Sequence, residues 1–254
     1  MKPVALVTGA RRGIGLGIAK ALAAKGFDLA ITDIVNDETS RGAVLALERL
    51  GAKVVFIEAD IADLGGHATT VNRVLDKHGR IDCLVNNAGI GSKVRGDFLD
   101  LEPANYDAIF AINLRGTVFF TQAVLRAMLA NADAQVVRTV INVTSVSAEM
   151  TSPERLDYCM TKAALAAFTQ GLALRLADQG ISVFDVRPGI IRSDMTSVAA
   201  AKYDKLIAEG LVPMKRWGEP DDLGRIVAAL ASGDFNFATG SVINADGALS
   251  ISRL

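Results

Sequence analysis

Short, nearly continuous apolar runs alternate with longer stretches of helical periodicity, and this alternation constrains the fold more than any other feature of the chain. Strand-like runs fall near residues 3–8, 28–33, 53–58, 82–86, 138–144, 181–187 and 241–245. Helical stretches lie between them near 14–25, 38–50, 65–78, 104–130, 156–178 and 220–232. Val4-Ala5-Leu6-Val7, Val54-Val55-Phe56-Ile57 and Val140-Ile141-Asn142-Val143 show the pattern of parallel strands covered on both faces. Strict alternation of strand and helix implies right-handed crossovers. The expected architecture is therefore α/β: a doubly wound parallel sheet of about seven strands with helices on both faces. No linker, low-complexity tract or internal repeat interrupts the pattern, so residues 1–254 are expected to form a single domain.

Composition narrows the function. The 254 residues carry a net charge of −1 and no Lys/Arg run longer than Arg11-Arg12, which speaks against a nucleic-acid surface. No apolar stretch approaches the ~18 residues of a membrane span. The start, Met-Lys-Pro-Val-Ala-Leu-Val-Thr-Gly, reads as a first strand and not a signal peptide. The two cysteines, Cys83 and Cys159, offer neither a metal spacing nor a disulfide framework, and Cys83 lies in a run where it should be a buried hydrophobe. A reducing, cytoplasmic setting is expected. His67 and His78 read as surface histidines of a polar helix, and no metal site is expected.

Thr8-Gly9-Ala10-Arg11-Arg12-Gly13-Ile14-Gly15 connects the first strand to the first helix. Glycines there allow a tight turn and close approach of a pyrophosphate, whose charge faces the helix N-terminus. The spacing is G-x-x-x-G-x-G, not the G-x-G-x-x-G of the general dinucleotide fingerprint. With Asp33 ending the second strand, the context is that of a Rossmann-like dinucleotide site. A carboxylate at this place accepts the ribose hydroxyls of NAD and repels a 2′-phosphate. Arg12, and Arg11 beside it, pull the other way, but close repulsion should outweigh a flexible arginine, so NAD is favoured over NADP.

Tyr158 and Lys162 form an i, i+4 pair on the helix expected over 156–178, with Ser145 thirteen residues upstream of the tyrosine. An ammonium near a phenol favours the phenolate, so the Tyr158 pKa is expected to fall from about 10 toward neutrality. A phenol so tuned exchanges protons with an alcohol or carbonyl oxygen.

With these motifs in order, the whole chain resembles the short-chain dehydrogenase/reductase family. Further matching residues are Asp60 after the third strand, Asn86-Asn87-Ala88-Gly89 after the fourth, Asn113 in the long helix that follows, and Pro188-Gly189-Ile190-Ile191-Arg192-Ser193 after the sixth. The resemblance implies a nicotinamide-dependent oxidoreductase. Tyr158 is the general acid/base, Lys162 tunes it and binds the nicotinamide ribose, Ser145 orients the substrate oxygen, and Asn113 holds a proton-relay water. It implies cofactor contacts at Gly9, Arg11, Arg12, Gly13, Ile14, Gly15 and Asp33. It also implies that Asp60 and Ile61 meet the adenine, Asn87, Ala88 and Gly89 the adenosine side, and Pro188, Gly189, Ile191 and Ser193 the nicotinamide. Two departures stand out: Ser193 replaces the usual Thr while keeping its hydroxyl, and Arg192 occupies a place where relatives carry an acid or a small residue.

The pocket walls should be Ile90–Phe98, Val146–Leu156 and a lid over Asp194–Trp217, carrying Lys93, Arg95, Glu149, Glu154 and Arg155. Met195, Tyr203, Leu206, Met214 and Trp217 give the lid an apolar face. By general likeness the chain is near the 3-ketoacyl-thioester reductase branch. The stretches that would meet an acidic carrier protein, Asn131-Ala132-Asp133-Ala134-Gln135 and Ala177-Asp178-Gln179, carry no positive charge. With Asp33, this favours an NAD-linked dehydrogenase of a small polar alcohol, ketone or polyol. An NADPH-dependent 3-ketoacyl-(acyl-carrier-protein) reductase and a catalytically silent cofactor sensor are the alternatives. The family is commonly tetrameric, so a homotetramer is expected.

Overall fold

The apolar runs become seven strands: β1 (Val4–Thr8), β2 (Asp28–Asp33), β3 (Val54–Glu58), β4 (Cys83–Asn86), β5 (Arg138–Val143), β6 (Ile181–Pro188) and β7 (Val242–Ala245). They form one parallel sheet in the order β3-β2-β1-β4-β5-β6-β7 in a computed structural model that describes residues 2–130, 136–197 and 199–253. Alternate residues of β1 enter different cores. Ala5 and Val7 face Ile18, Leu22 and Leu223, while Val4 and Leu6 face Val74, Phe120 and Val124. Burial on both faces is why these strands read as unbroken apolar runs.

Helices α1 (Gly13–Ala24), α2 (Glu38–Glu48), α3 (His67–His78), α4 (Pro103–Phe110), α5 (Thr117–Ala130), α6 (Leu156–Leu176), α7 (Asp194–Ser197), α8 (Ala200–Ala208) and α9 (Pro220–Leu230) make the crossovers and the lid. A Cβ at Gly224 would lie 2.5 Å from the Gly17 carbonyl oxygen, so glycine lets α9 touch α1 and seats the latter's N-terminus. The sheet order reverses between β1 and β4, which opens a crevice at their carboxyl ends.

Three expectations change. The helix expected over 104–130 is divided by a π-helical segment, Ala111–Gly116, where a Cβ on Gly116 would meet the Ile61 carbonyl oxygen at 2.4 Å. Insertions of this kind are frequent at functional sites, and this one contains Asn113. The span Pro103–Ala130 is apolar enough by length and composition to cross a membrane, yet Phe120, Val124, Leu125 and Met128 pack into the core. The histidines are structural: His67 is buried, its Nε2 2.8 Å from the Ile61 carbonyl oxygen, and His78 Nε2 lies 3.2 Å from that of Leu29. Cys83 is buried as expected, and burial pushes its thiol up to about 12.

Candidate active site

The crevice continues into a cleft of about 600 Å³ that reaches from Asp33 at one end to Ser145, Tyr158 and Lys162 at the other. Thr8 shapes its floor. The Thr8 hydroxyl accepts from the Asn87 and Ala88 amides, both at 3.0 Å, and the Asn87 side chain donates to the carbonyls of Thr8 at 2.9 Å and Gly9 at 3.0 Å. Asn87 thus binds the Gly-rich turn to β4. At Gly9, φ is +64°, and an added Cβ would sit 2.9 Å from Ala88 Cα, so only glycine fits. Arg12 caps α1 without any side-chain hydrogen bond, and no acid lies in the first turn. The helix therefore presents unpartnered amides and the positive end of its dipole to the cleft.

The two arginines of the turn are committed elsewhere. Arg11 Nη1 pairs with Asp37 at 2.5 Å and its Nε lies 3.8 Å from Asp33, in a side chain that does not border the cleft. The Arg11 guanidinium is thus held by two carboxylates of the second strand's end and the following turn. Arg12 borders the cleft but pairs with Asp194 of α7 at 2.6 Å, tying the turn to the lid. Asp33, Asp60, Ile61, Asn87, Ala88, Gly89, Pro188, Gly189, Ile191 and Ser193 all line the cleft, as do Gly9, Gly13, Ile14 and Gly15. Arg192 turns away from it, stacking over Trp217 at 4.9 Å and reaching Glu219 at 3.2 Å.

At the chemical end, Lys162 is buried and donates to the Val143 carbonyl at 3.0 Å, with Nζ 5.7 Å from the Tyr158 ring centroid. Burial lowers the lysine to about 8, against the opposing pull of Asp185. Burial also raises the Tyr158 phenol, although a hydrogen bond from Ser145 and the charges of Arg155 and Arg95 oppose the rise. The expected fall toward neutrality is therefore reversed in the free protein. Desolvation acts on both members of the pair, and it penalises the phenolate and the ammonium alike. At neutral pH the phenol holds its proton.

Asn113 is buried inside the π segment, where its side chain clamps Ile90. Its Oδ1 accepts from the Ile90 amide at 2.8 Å and its Nδ2 donates to the Ile90 carbonyl at 2.9 Å. Asn113 Oδ1 and Lys162 Nζ are 3.1 and 3.8 Å from where a Cβ on Gly89 would stand, so the three meet at one wall. Behind them, Asp185 accepts from Thr144 and pairs with Arg187 at 2.8 Å, and Arg187 also pairs with Glu149.

Of the charged wall residues, Arg95 and Arg155 border the cleft, whereas Lys93, Glu149 and Glu154 do not. In the lid, Ile207, Val212 and Trp217 form a small core with Tyr203 against it, while Met214 is exposed. Leu249, after β7, and Met150 also border the cleft. Nothing in their spacing marks them; the Asp246 carboxylate fixes the Leu249 turn by accepting from the Ala248 and Ser250 amides, both at 2.9 Å. No group of three or more metal-ligating side chains occurs among the described residues. A dinucleotide fits this donor set: unpartnered helix amides for a pyrophosphate, a carboxylate at the far end, and a Tyr–Lys pair at the near end.

A family model described as enoyl-(acyl carrier protein) reductase matches residues 9–250. A 3-oxoacyl-[acyl-carrier-protein] reductase of Chlamydia pneumoniae is 36% identical over 247 residues, covering 96% of this chain and 95% of the relative. Galactitol 2-dehydrogenase of Agrobacterium fabrum is 34% identical over 262 residues, covering 96% of each chain. The crystal structure of a 3-oxoacyl-[acyl-carrier protein] reductase from Brucella melitensis, in complex with NAD, superposes with a TM-score of 0.97 at 63% identity, covering 100% of this chain and 99% of that one. With the Tyr158–Lys162 pair and Ser145 gathered at the end of a nucleotide-shaped cleft, the chain belongs to the short-chain dehydrogenase/reductase family: it is an oxidoreductase acting on CH–OH donors with a nicotinamide cofactor.

Proposed function

We propose that the protein interconverts a carbonyl and a secondary alcohol using NAD(H) in preference to NADP(H), with the whole chain acting as one catalytic domain. The observation that carries the reading is the placement of Ser145, Tyr158 and Lys162 at the end of the cleft opposite Asp33. Bound there, the nicotinamide cofactor supplies the hydride acceptor for oxidation and the donor for reduction. The first-turn amides at Gly13, Ile14 and Gly15 receive the pyrophosphate, Asp33 the ribose hydroxyls, and Asp60 and Ile61 the adenine. Asn87, Ala88 and Gly89 form the adenosine-side wall, and Pro188, Gly189, Ile191 and Ser193 meet the nicotinamide amide. Tyr158 gives its proton to the carbonyl oxygen in reduction, and Ser145 fixes that oxygen. Lys162 favours the phenolate when the reaction runs toward the ketone, and Asn113 holds the water through which Lys162 exchanges protons with solvent. Preference for NAD rests on Asp33 and on the engagement of Arg11 and Arg12 with other carboxylates.

Two substrate readings follow. The relatives weigh toward a 3-oxoacyl thioester, ahead of the polyol that carrier-docking charges favour. Of the two docking stretches, Asn131–Gln135 lies outside the described residues. Near the ends of α5 and α6, Arg126 and Arg175 are exposed, which offsets Asp178. The polyol reading keeps the support of Asp33 and of the galactitol 2-dehydrogenase similarity. Turnover of acetoacetyl thioesters and of sugar alcohols, each with both cofactors and followed by reduced-nicotinamide absorbance, separates the two. No turnover of any alcohol or ketone would refute the reaction. A cytoplasmic homotetramer is proposed as well, in keeping with exposed Phe119, Leu174 and Phe237, and a light-scattering mass tests the assembly.

A further inference from the structure

We infer that the substrate carries an anionic group, a carboxylate or a phosphate, which Arg95 and Arg155 receive beside the phenol of Tyr158. The inference rests on the proposed reaction and names a feature of its substrate. Both arginines border the cleft, and the Arg155 guanidinium lies 5.6 Å from the Tyr158 ring centroid. The segments that carry them are fastened together: the Gly96 amide donates to the Glu154 carbonyl at 3.3 Å, and the Ser92 hydroxyl donates to Asp157 Oδ1 at 2.5 Å.

Other arginines around the site have carboxylate partners. Arg12 pairs with Asp194, Arg11 with Asp37, and Arg187 with Asp185 and Glu149. Among the described residues, Arg95 and Arg155 have no ion pair and no side-chain hydrogen bond, although Asp97, Glu154 and Asp157 stand within two residues of them in the chain. Arg155 also stands at the N-terminus of the 21-residue helix α6, where Asp157 in the first turn offsets the positive end of the dipole, so the positive charge offered here is that of the two guanidinium groups. Met150, Met195, Tyr203, Leu211 and Leu249 line the same cleft, and Asp194 of that lining is paired with Arg12. Two free guanidinium forks in such surroundings form a receptor for a planar or tetrahedral anion. Their charges also favour the Tyr158 phenolate, and a bound anion would offset that influence. A carrier-linked thioester bears no charge close to its keto carbon and a polyol bears none at all, so the receptor favours a free acid or a phosphate ester over both substrate readings above, while keeping the same carbonyl–alcohol reaction.

The test uses two matched pairs, acetoacetate against its methyl ester and dihydroxyacetone phosphate against dihydroxyacetone. Binding to the protein–NADH complex is read by nicotinamide fluorescence, and turnover by absorbance. The charged member of one pair should bind at least about tenfold more tightly than its neutral partner, and the responding pair identifies carboxylate or phosphate. Arg95→Gln and Arg155→Gln should each weaken that member about ten- to a hundredfold while leaving the neutral partner and NADH binding unchanged. Lys93→Gln removes a charge from the same loop outside the cleft and should change nothing. Equal binding within both pairs, or a charge preference that survives both arginine replacements, overturns the inference. Turnover of neutral members without charge preference would sink it while sparing the proposed reaction. Charge-selective binding without turnover of any member would uphold it and count against that reaction.

Discussion

Replacing Asn113 with leucine, close to it in size, tests whether its amide holds the cleft wall together. The side chain is 1% exposed and makes three hydrogen bonds, at 2.8 and 2.9 Å to the Ile90 backbone and at 3.3 Å to the Thr161 hydroxyl. Leucine leaves the Ile90 amide and carbonyl without their partner. Each orphaned group costs about 1–3 kcal/mol when buried. Ile90 is only half-buried, so water reaches it and the lower end applies, for a total of about 2–3 kcal/mol. For a chain of this size about 1 kcal/mol shifts Tm by roughly 2–4 °C, so Tm should fall by about 4–12 °C in far-UV circular dichroism. Because Ile90 follows Gly89 at the cleft wall, kcat should fall as well. Asn113→Asp keeps the acceptor for the Ile90 amide but places a carboxylate oxygen against its carbonyl, so its loss should match or exceed that of leucine. A Tm within about 1 °C of the parent for the leucine variant would refute the clamp.

Tyr158→Phe should lower kcat by about 10²- to 10⁴-fold while NAD binding, measured by titration, persists; near-normal turnover would remove the tyrosine from its role. Asp33→Ser should lower the NAD-over-NADP ratio of kcat/KM at least about fivefold, corresponding to about 1 kcal/mol of relieved repulsion, and an unchanged ratio would show that discrimination lies elsewhere. Lys162, held at about 8, is mainly protonated below that pH and mainly neutral above it, so the pH profile of kcat/KM for alcohol oxidation should show a limb near 8. Asp185 raises that value, so Asp185→Asn should move the limb to lower pH. A thermal melt separates this from loss of the buried Arg187 pair, and a folded variant with an unmoved limb would refute the assignment.

Much of the fold was legible because burial on both faces leaves its mark along the chain. Val4–Val7, Val54–Ile57 and Val140–Val143 became strands where their apolar runs stand, and the glycines of the first turn lie at the helix N-terminus they were expected to open. The π segment was hidden: the close approach of the Ile61 carbonyl to Gly116 comes from another part of the chain, and periodicity along the helix does not record it. His67 and His78 misread for the same reason: their partners, the carbonyls of Ile61 and Leu29, lie off the helix that bears them.

The sequence by itself determined the order of strands and helices, the residues at the carboxyl ends of those strands, and hence the family and its reaction. Periodicity and spacing are local properties, and they record which faces must be covered and which residue types the chemistry needs. Only the tertiary structure decided the protonation of those residues and the company they keep. It raised the Tyr158 phenol where a neighbouring lysine alone would lower it, turned Arg11 to Asp37, and left Arg95 and Arg155 unpaired beside the catalytic phenol. Desolvation and ion pairing depend on what surrounds a group in space, and segments far apart in the chain supply those surroundings.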